Sequence, residues 1–196
     1  YGDTAALDFG DRYLYITDTA LGRLVDTPDD IAFQLDQFVS SSGRLNPTTG
    51  LVVGYDFLDD GSEAIAANLR DAVTVDDEFG TSLDDDGWDS AALTEKLFPT
   101  NGDPTPDIIS LNAHFDHRRI LPALDNTNKT EVDLFEASTI FASAPDALTG
   151  RITFSMGCHS GLAVSDATIG VLADDFAQGF TRQGGIYVGN TGYGYG

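Results

Sequence analysis

Short runs of apolar residues alternate along the chain with stretches whose apolar positions recur every three or four residues. The first pattern suits buried strands and the second suits amphipathic helices. Residues 12–17 (RYLYIT) predict a strand. Thr27-Pro28-Asp29-Asp30 then offers an N-cap, a proline at the first helical position and acids in the first turn. The helix that follows places Ile31, Leu35, Phe38 and Val39 on one face and stops near Gly43. Residues 51–55 (LVVGY) predict the next strand, 63–71 a helix, 73–75 a short strand and 90–97 a short helix. The most strand-like run is 107–113 (DIISLNA), introduced by Pro104 and Pro106. A helix is expected over about 131–143 and a strand over 151–157 (RITFSMG). The last helix, 165–182, puts Ile169, Leu172, Phe176 and Phe180 on one face, and 185–189 (GIYVG) closes the series.

Strand–helix–strand alternation with apolar strands predicts an α/β fold whose mostly parallel sheet is covered on both faces. No internal repeat and no Ser/Gly linker divides the chain, so residues 1–196 are read as one domain.

Composition narrows the function. Hydrophobic residues make up 41% of the 196, which excludes a wholly disordered chain despite the charge. The formal net charge is −22, from 27 Asp and 5 Glu against 10 bases. Such a surface repels phosphate backbones and anionic lipid, so nucleic acid and membrane surfaces are excluded as partners. It suits cationic substrates, bound calcium or a salty exterior. A single cysteine, Cys158, rules out an intrachain disulfide, and no apolar run is long enough to span a bilayer. The chain opens on Tyr1-Gly2-Asp3 and ends on GYGYG, which reads as a processed or truncated piece of a longer precursor. On that reading, residues beyond Gly196 or a second chain pack against the final strand and complete the substrate pocket.

The reactive residues are not scattered. His114, Asp116 and His117 follow the strand 107–113, while Cys158 and His159 follow the strand 151–157. Active sites of open parallel sheets lie beyond the carboxyl ends of their strands. Gly157 and Gly161 bracket the cysteine and permit a tight turn there. A thiol at such an edge, with an imidazole on the neighbouring strand, is the constellation that nucleophilic catalysis requires. His114 is favoured over His117, which sits beside Arg118 and Arg119 in a polar loop, and His159 is read as a rim residue.

A His ending one strand and a Cys ending another, 44 residues on, resembles the pattern of caspase-like cysteine peptidases, and most closely the gingipain type. The likeness runs through residues 21–28 (LGRLVDTP), 51–60 (LVVGYDFLDD), Asn112-Ala113-His114, Gly157-Cys158-His159-Ser160-Gly161 and 189–196 (GNTGYGYG). The resemblance implies a three-layer αβα domain that cleaves protein or peptide substrates after Arg or Lys, with Cys158 as nucleophile and His114 as general acid. It implies an oxyanion site built from backbone N–H groups of Phe115 and the Gly157–Cys158 turn. The chain departs from the family at Phe115, where a glycine usually follows the catalytic His; a side chain there is expected to crowd the site. Asp56 is the matching position for an acid that orients the imidazole or holds a cationic side chain, with Asp59 as second choice. The reaction itself requires no cofactor. A structural calcium is the ion the resemblance would add, with 76–78 (DDE), 84–89 (DDDGWD) and Asp125-Asn126-Thr127-Asn128 as loosely suitable runs. It further implies a secreted or cell-surface zymogen.

Two other readings use the same residues. His114, Asp116, His117, Cys158 and His159 would offer ligands to a zinc-dependent hydrolase. A non-catalytic surface module that keeps the fold is the third.

Overall fold

The computed structural model describes residues 7–8, 10–11, 13–14, 22–25, 27–71, 74–75, 87–128, 133–164 and 175–194. Strand β1 (Leu7–Asp8) pairs antiparallel with β2 (Tyr13–Leu14), inside the stretch expected as one strand; Arg12 and residues 15–17 lie outside the described residues. Helix α1 (Pro28–Ser40) opens on a full capping box: the Thr27 hydroxyl accepts from the Asp30 N–H, and the Asp30 carboxylate accepts from the Thr27 N–H. Its apolar face is unburied, with Phe38 at 65% and Val39 at 70% exposure. The ion pair Asp30–Arg182, at 3.1 Å, ties its start to the last helix.

Strand β3 (Thr49–Val53) leads through a 3₁₀ turn, Asp56–Leu58, into α2 (Asp59–Arg70). This helix starts four residues before the sequence predicts, because Asp59 and Asp60 suit its positive end and the Ser62 hydroxyl donates to the Asp59 carbonyl at 2.9 Å. Then come β4 (Thr74–Val75), α3 (Ser90–Leu97) and β5 (Ile108–Leu111).

Beyond β5 the expectation changes. The run 107–113 does not deliver His114 at its own end: β5 stops at Leu111, and His114 begins a new strand, β6 (His114–Phe115). It pairs antiparallel with β7 (Arg119–Leu121), and β7 pairs with β8 (Phe135–Glu136). Helix α4 (Ala123–Asn128) connects the last two. The helix expected over 131–143 is therefore corrected to β8 followed by α5 (Ala137–Phe141), with 131 and 132 outside the described residues. Phe135 is needed opposite Ile120, where both are buried in the core, and Pro145 ends the helical potential soon after. Strand β9 (Ile152–Ser155), helix α6 (Phe176–Arg182) and β10 (Ile186–Gly189) complete the chain. Residues 165–174 of the predicted last helix lie outside the described residues.

The main sheet is wholly parallel, in the order β10-β9-β5-β3-β4. Successive residues of β3 and β5 are buried, so both faces are covered there, as expected of a parallel sheet. Cover is thinner at the β9–β10 edge, where Phe154, Ile186 and Val188 are 37%, 46% and 45% exposed. From β3 the chain steps to β4 on one side and next to β5 on the other, which makes β3/β5 the topological switch point. Among the described residues, no helix is long and apolar enough to cross a membrane.

Asp107 sets the register at the opposite edge. Its carboxylate accepts from the N–H groups of Thr48 and Thr49, at 2.8 and 3.2 Å, and from both hydroxyls. Arg151, just before β9, lies 3.9 Å away. Burial works to raise the Asp107 pKa, but these hydrogen bonds and the Arg151 charge together hold it below the ordinary 3.8. A carboxylate with a depressed native pKa stabilises the fold at neutral pH and loses that contribution as pH falls through the native value. Asp107→Ala is expected to cost about 1–3 kcal/mol at neutral pH, with the gap to wild type narrowing below about pH 4. Urea unfolding at pH 7 and pH 3 checks both parts.

Candidate active site

Parallel register brings three loops to one edge. Leu111 of β5 is paired with Val53 of β3 on one side and Ser155 of β9 on the other. The segments that follow, 54–58, 112–117 and 156–161, therefore leave the sheet side by side at the switch point.

The first loop supplies Tyr55, which is fully buried. Its hydroxyl accepts from the His114 N–H at 3.2 Å and donates to the Leu121 carbonyl at 2.6 Å. His114 and Leu121 are register partners, so one phenol is wedged between β6 and β7 and fixes the backbone of His114. Trp88 supports it from behind, with ring centroids 5.5 Å apart and its indole N–H donating to the Gly54 carbonyl at 3.3 Å. The His114 imidazole lies near two rings, Tyr55 at 5.9 Å and Phe57 at 5.6 Å. Asp56 is exposed and opens the 3₁₀ turn with φ +56°, a left-handed conformation that bends the chain sharply after β3. Asp59 is half-buried and starts α2.

The second loop corrects the expectation for Phe115. Its side chain does not crowd the site from above; it is buried in the core, 5.4 Å from the Phe176 ring. A Cβ on Gly157 would stand 2.2 Å from Cδ2 of Phe115, so the Phe115 ring occupies the space that Gly157 leaves empty. This contact joins the residue after His114 to the residue before Cys158. Phe115 is outside the left-handed region, so the position no longer needs a glycine.

The same loop disposes of its other candidates. Asp116 accepts Nε–H and Nη2–H of Arg119 on Oδ2, at 2.7 and 2.5 Å, and the Arg118 and Arg119 backbone N–H groups on Oδ1. Burial raises its pKa and these partners overcome that, leaving the carboxyl below 3.8 and charged. The His117 carbonyl accepts the Phe176 N–H at 2.9 Å, which makes that residue a brace between the hairpin turn and α6.

The third loop is the cysteine turn. The Gly157 N–H donates to the Ser155 hydroxyl at 3.1 Å, so of the three expected oxyanion donors this one is engaged. Gly161 meets the other side of the turn, where a Cβ would stand 2.3 Å from the Gly189 carbonyl oxygen. Residues 190–194 strap the turn: the His159 N–H donates to Gly192, the Gly161 N–H to Asn190, and the Asn190 amide to Met156. Cys158 is half-buried and its thiol contacts the Gly194 carbonyl at 3.7 Å. His159 is left-handed at φ +57° and half-buried, with its ring 4.9 Å from that of Tyr193.

Among the described residues, no group of three or more His, Cys, Asp or Glu side chains is placed to hold a metal ion. Of the calcium-suited runs, 76–78 and 84–86 lie outside the described residues. Asp89 caps α3, and the buried Asp125 accepts the Asp133 N–H. The sequence could not announce Tyr55, because its role depends on a hydroxyl reaching a strand pair 59 and 66 residues away.

The Phe115–Gly157 fit is testable as a coupling. Gly157→Ala is expected to destabilise by about 1–3 kcal/mol. In a Phe115→Ala background the same change should cost measurably less, because the ring it strikes is gone. A double-mutant cycle by urea unfolding reads the difference.

The chain matches no family model, no curated protein and no solved structure.

Proposed function

We propose that this chain is a caspase-like cysteine endopeptidase of the gingipain type, with Cys158 and His114 as its dyad. The observation that carries the reading is the Phe115–Gly157 contact, which holds the His114 and Cys158 segments against each other at the carboxyl edge of the sheet, next to the β3/β5 switch point. With the right-handed crossovers usual between parallel strands, this strand order would send helices to both faces of the sheet, the layering that a caspase-like domain needs.

The chemistry follows from the pair. The Cys158 thiolate adds to the scissile carbonyl carbon while imidazolium at His114 gives its proton to the leaving amine. A carbon–sulfur bond forms and the carbon–nitrogen bond breaks. His114 then takes a proton from water as it attacks the thioester, which breaks the carbon–sulfur bond and restores both groups. Backbone N–H groups of Phe115 and Cys158 are the donors assigned to the oxyanion, with Gly157 supplying the turn. The scissile bond follows Arg or Lys, and Asp56 is the acid assigned to orient the imidazole or hold that cation. The reading assigns no cofactor to the reaction and places the protein outside the cell or at its surface.

A panel of Arg, Lys, Asn and Asp peptides, assayed with wild type and Cys158→Ala, tests the proposal. Cleavage after a basic residue should vanish in Cys158→Ala, and activity that survives this change would refute the mechanism. His114→Ala is expected to lose about 10²–10⁴-fold in kcat, as removal of a general acid does. His117→Ala should retain a substantial fraction, and the opposite ranking would transfer the role. Asp56→Ala should cost less than either dyad change, since an orienting group assists a reaction that the dyad performs.

A further inference from the structure

Single exposed aromatic side chains are common on protein surfaces, and exposure alone assigns them nothing. Phe57 differs in what it touches. It is 66% exposed, and its ring lies 5.6 Å from the His114 imidazole at an interplanar angle of 56°. Tyr55, the other ring near His114, is fully buried, and its hydroxyl is already used by the His114 and Leu121 backbones. Of these two rings, Phe57 is the one exposed to a bound molecule.

The reaction fixes what passes that flank. A general acid must stand about 2.6–3.2 Å from the atom that it protonates. In peptide cleavage that atom is the nitrogen of the leaving amine. The residue carrying this nitrogen, the first on the leaving side of the scissile bond, is thus held against His114. Its side chain begins two bonds from the protonated atom and reaches whatever borders the ring. Phe57 borders it.

We propose that Phe57 is a specificity-determining residue that selects an apolar side chain at the first position on the leaving side. The inference rests on the thiol-peptidase reading above and adds a second selectivity to it, on the side of the bond opposite the basic residue. The local backbone supports a fixed shelf. Phe57 is the central residue of the 3₁₀ turn Asp56–Leu58, closed by the Leu58 N–H to the Tyr55 carbonyl at 3.1 Å. The shelf is consequently anchored to the same residue that holds the His114 backbone. Asp56 precedes it and is exposed, so an acidic side chain at this substrate position meets a like charge as well as an apolar surface.

The test uses two peptides that share an Arg before the scissile bond and differ only in Leu or Gly after it, with a third carrying Asp. Wild type should cleave the Leu peptide about fivefold to tenfold faster in kcat/KM than the Gly peptide, the range for a partly buried apolar side chain. The Asp peptide should be slowest. Phe57→Ala should collapse the Leu-to-Gly ratio to near one, and Phe57→Tyr, which keeps the ring, should preserve it. Circular dichroism and urea unfolding of each variant establish that the fold is intact. A wild-type ratio near one, a ratio that Phe57→Ala leaves unchanged, or a preference abolished by Asp56→Ala but not by Phe57→Ala would overturn the assignment. If no peptide is cleaved, or cleavage survives Cys158→Ala, the thiol-peptidase reading fails and the assignment falls with it.

Discussion

Everything at the candidate site depends on the register of β5 against its two neighbours. Asp107 pins that register at the amino edge, where one carboxylate gathers the Thr48–Thr49 backbone and lies within reach of Arg151. The Asp107 carbonyl also accepts the Ile152 N–H at 2.9 Å, so the starts of β3, β5 and β9 meet on one residue. Strands in a parallel sheet rise by nearly equal steps. Aligned starts therefore become aligned ends, and Leu111 finishes level with Val53 and Ser155. A one-residue slip would turn the side chains of β5 to the wrong faces and displace His114 relative to Cys158.

At the other edge the backbone has to turn within two or three residues, and each turn is underpinned by a ring. Tyr55 lies beneath β6 and Phe115 beneath the cysteine turn, while Trp88 and Phe176 fill the volume behind them. Left-handed residues accompany these turns, at Asp56 and His159. Non-glycine residues hold such a conformation only where the surroundings over-determine it. For His159 the surroundings are explicit: its N–H is bonded to the Gly192 carbonyl at 2.6 Å and its ring packs on Tyr193. The reactive residues are thus carried on backbone that is locked from below by apolar packing and from above by the strap 190–194.

The parts legible in the sequence are those governed by local rules. The Thr27-Pro28-Asp29-Asp30 start of α1, the helix Ser90–Leu97 and the core strands around 51–55, 107–113 and 151–157 all follow from caps, prolines and apolar runs. That the segments carrying His114 and Cys158 leave neighbouring strands at one edge was legible for the same reason, though His114 itself begins β6 rather than ending β5. The small sheet β6-β7-β8 was not. Its strands are two or three residues long, too short for alternation to register, and Phe135–Glu136 sits against a helix-forming stretch. Tertiary pairing with Ile120, rather than propensity, decides that segment. The role of Phe115 was hidden likewise: a residue that looks obstructive beside His114 becomes a core residue once Gly157 is placed next to it.

Charge enters the site in a restricted way. With 32 acids and 10 bases, cations are scarce, and three of the arginines stand at junctions of the fold. Arg182 joins α6 to α1, Arg151 joins β9 to the start of β5, and Arg119 closes the β6–β7 hairpin on Asp116. The partners of all three are carboxylates held below their ordinary pKa, so these junctions weaken together in acid. If the chain is the peptidase proposed above, the remaining acidity raises the local concentration of cationic peptides without distinguishing one sequence from another. On that proposal, discrimination between peptides needs a side chain fixed within contact of His114 and Cys158. Asp116 is already neutralised by Arg119, and His117 is occupied with bracing α6 through its carbonyl. Under the proposed function, selection at this edge falls to the 3₁₀ turn after β3, where the exposed Asp56 precedes Phe57, whose ring lies beside His114.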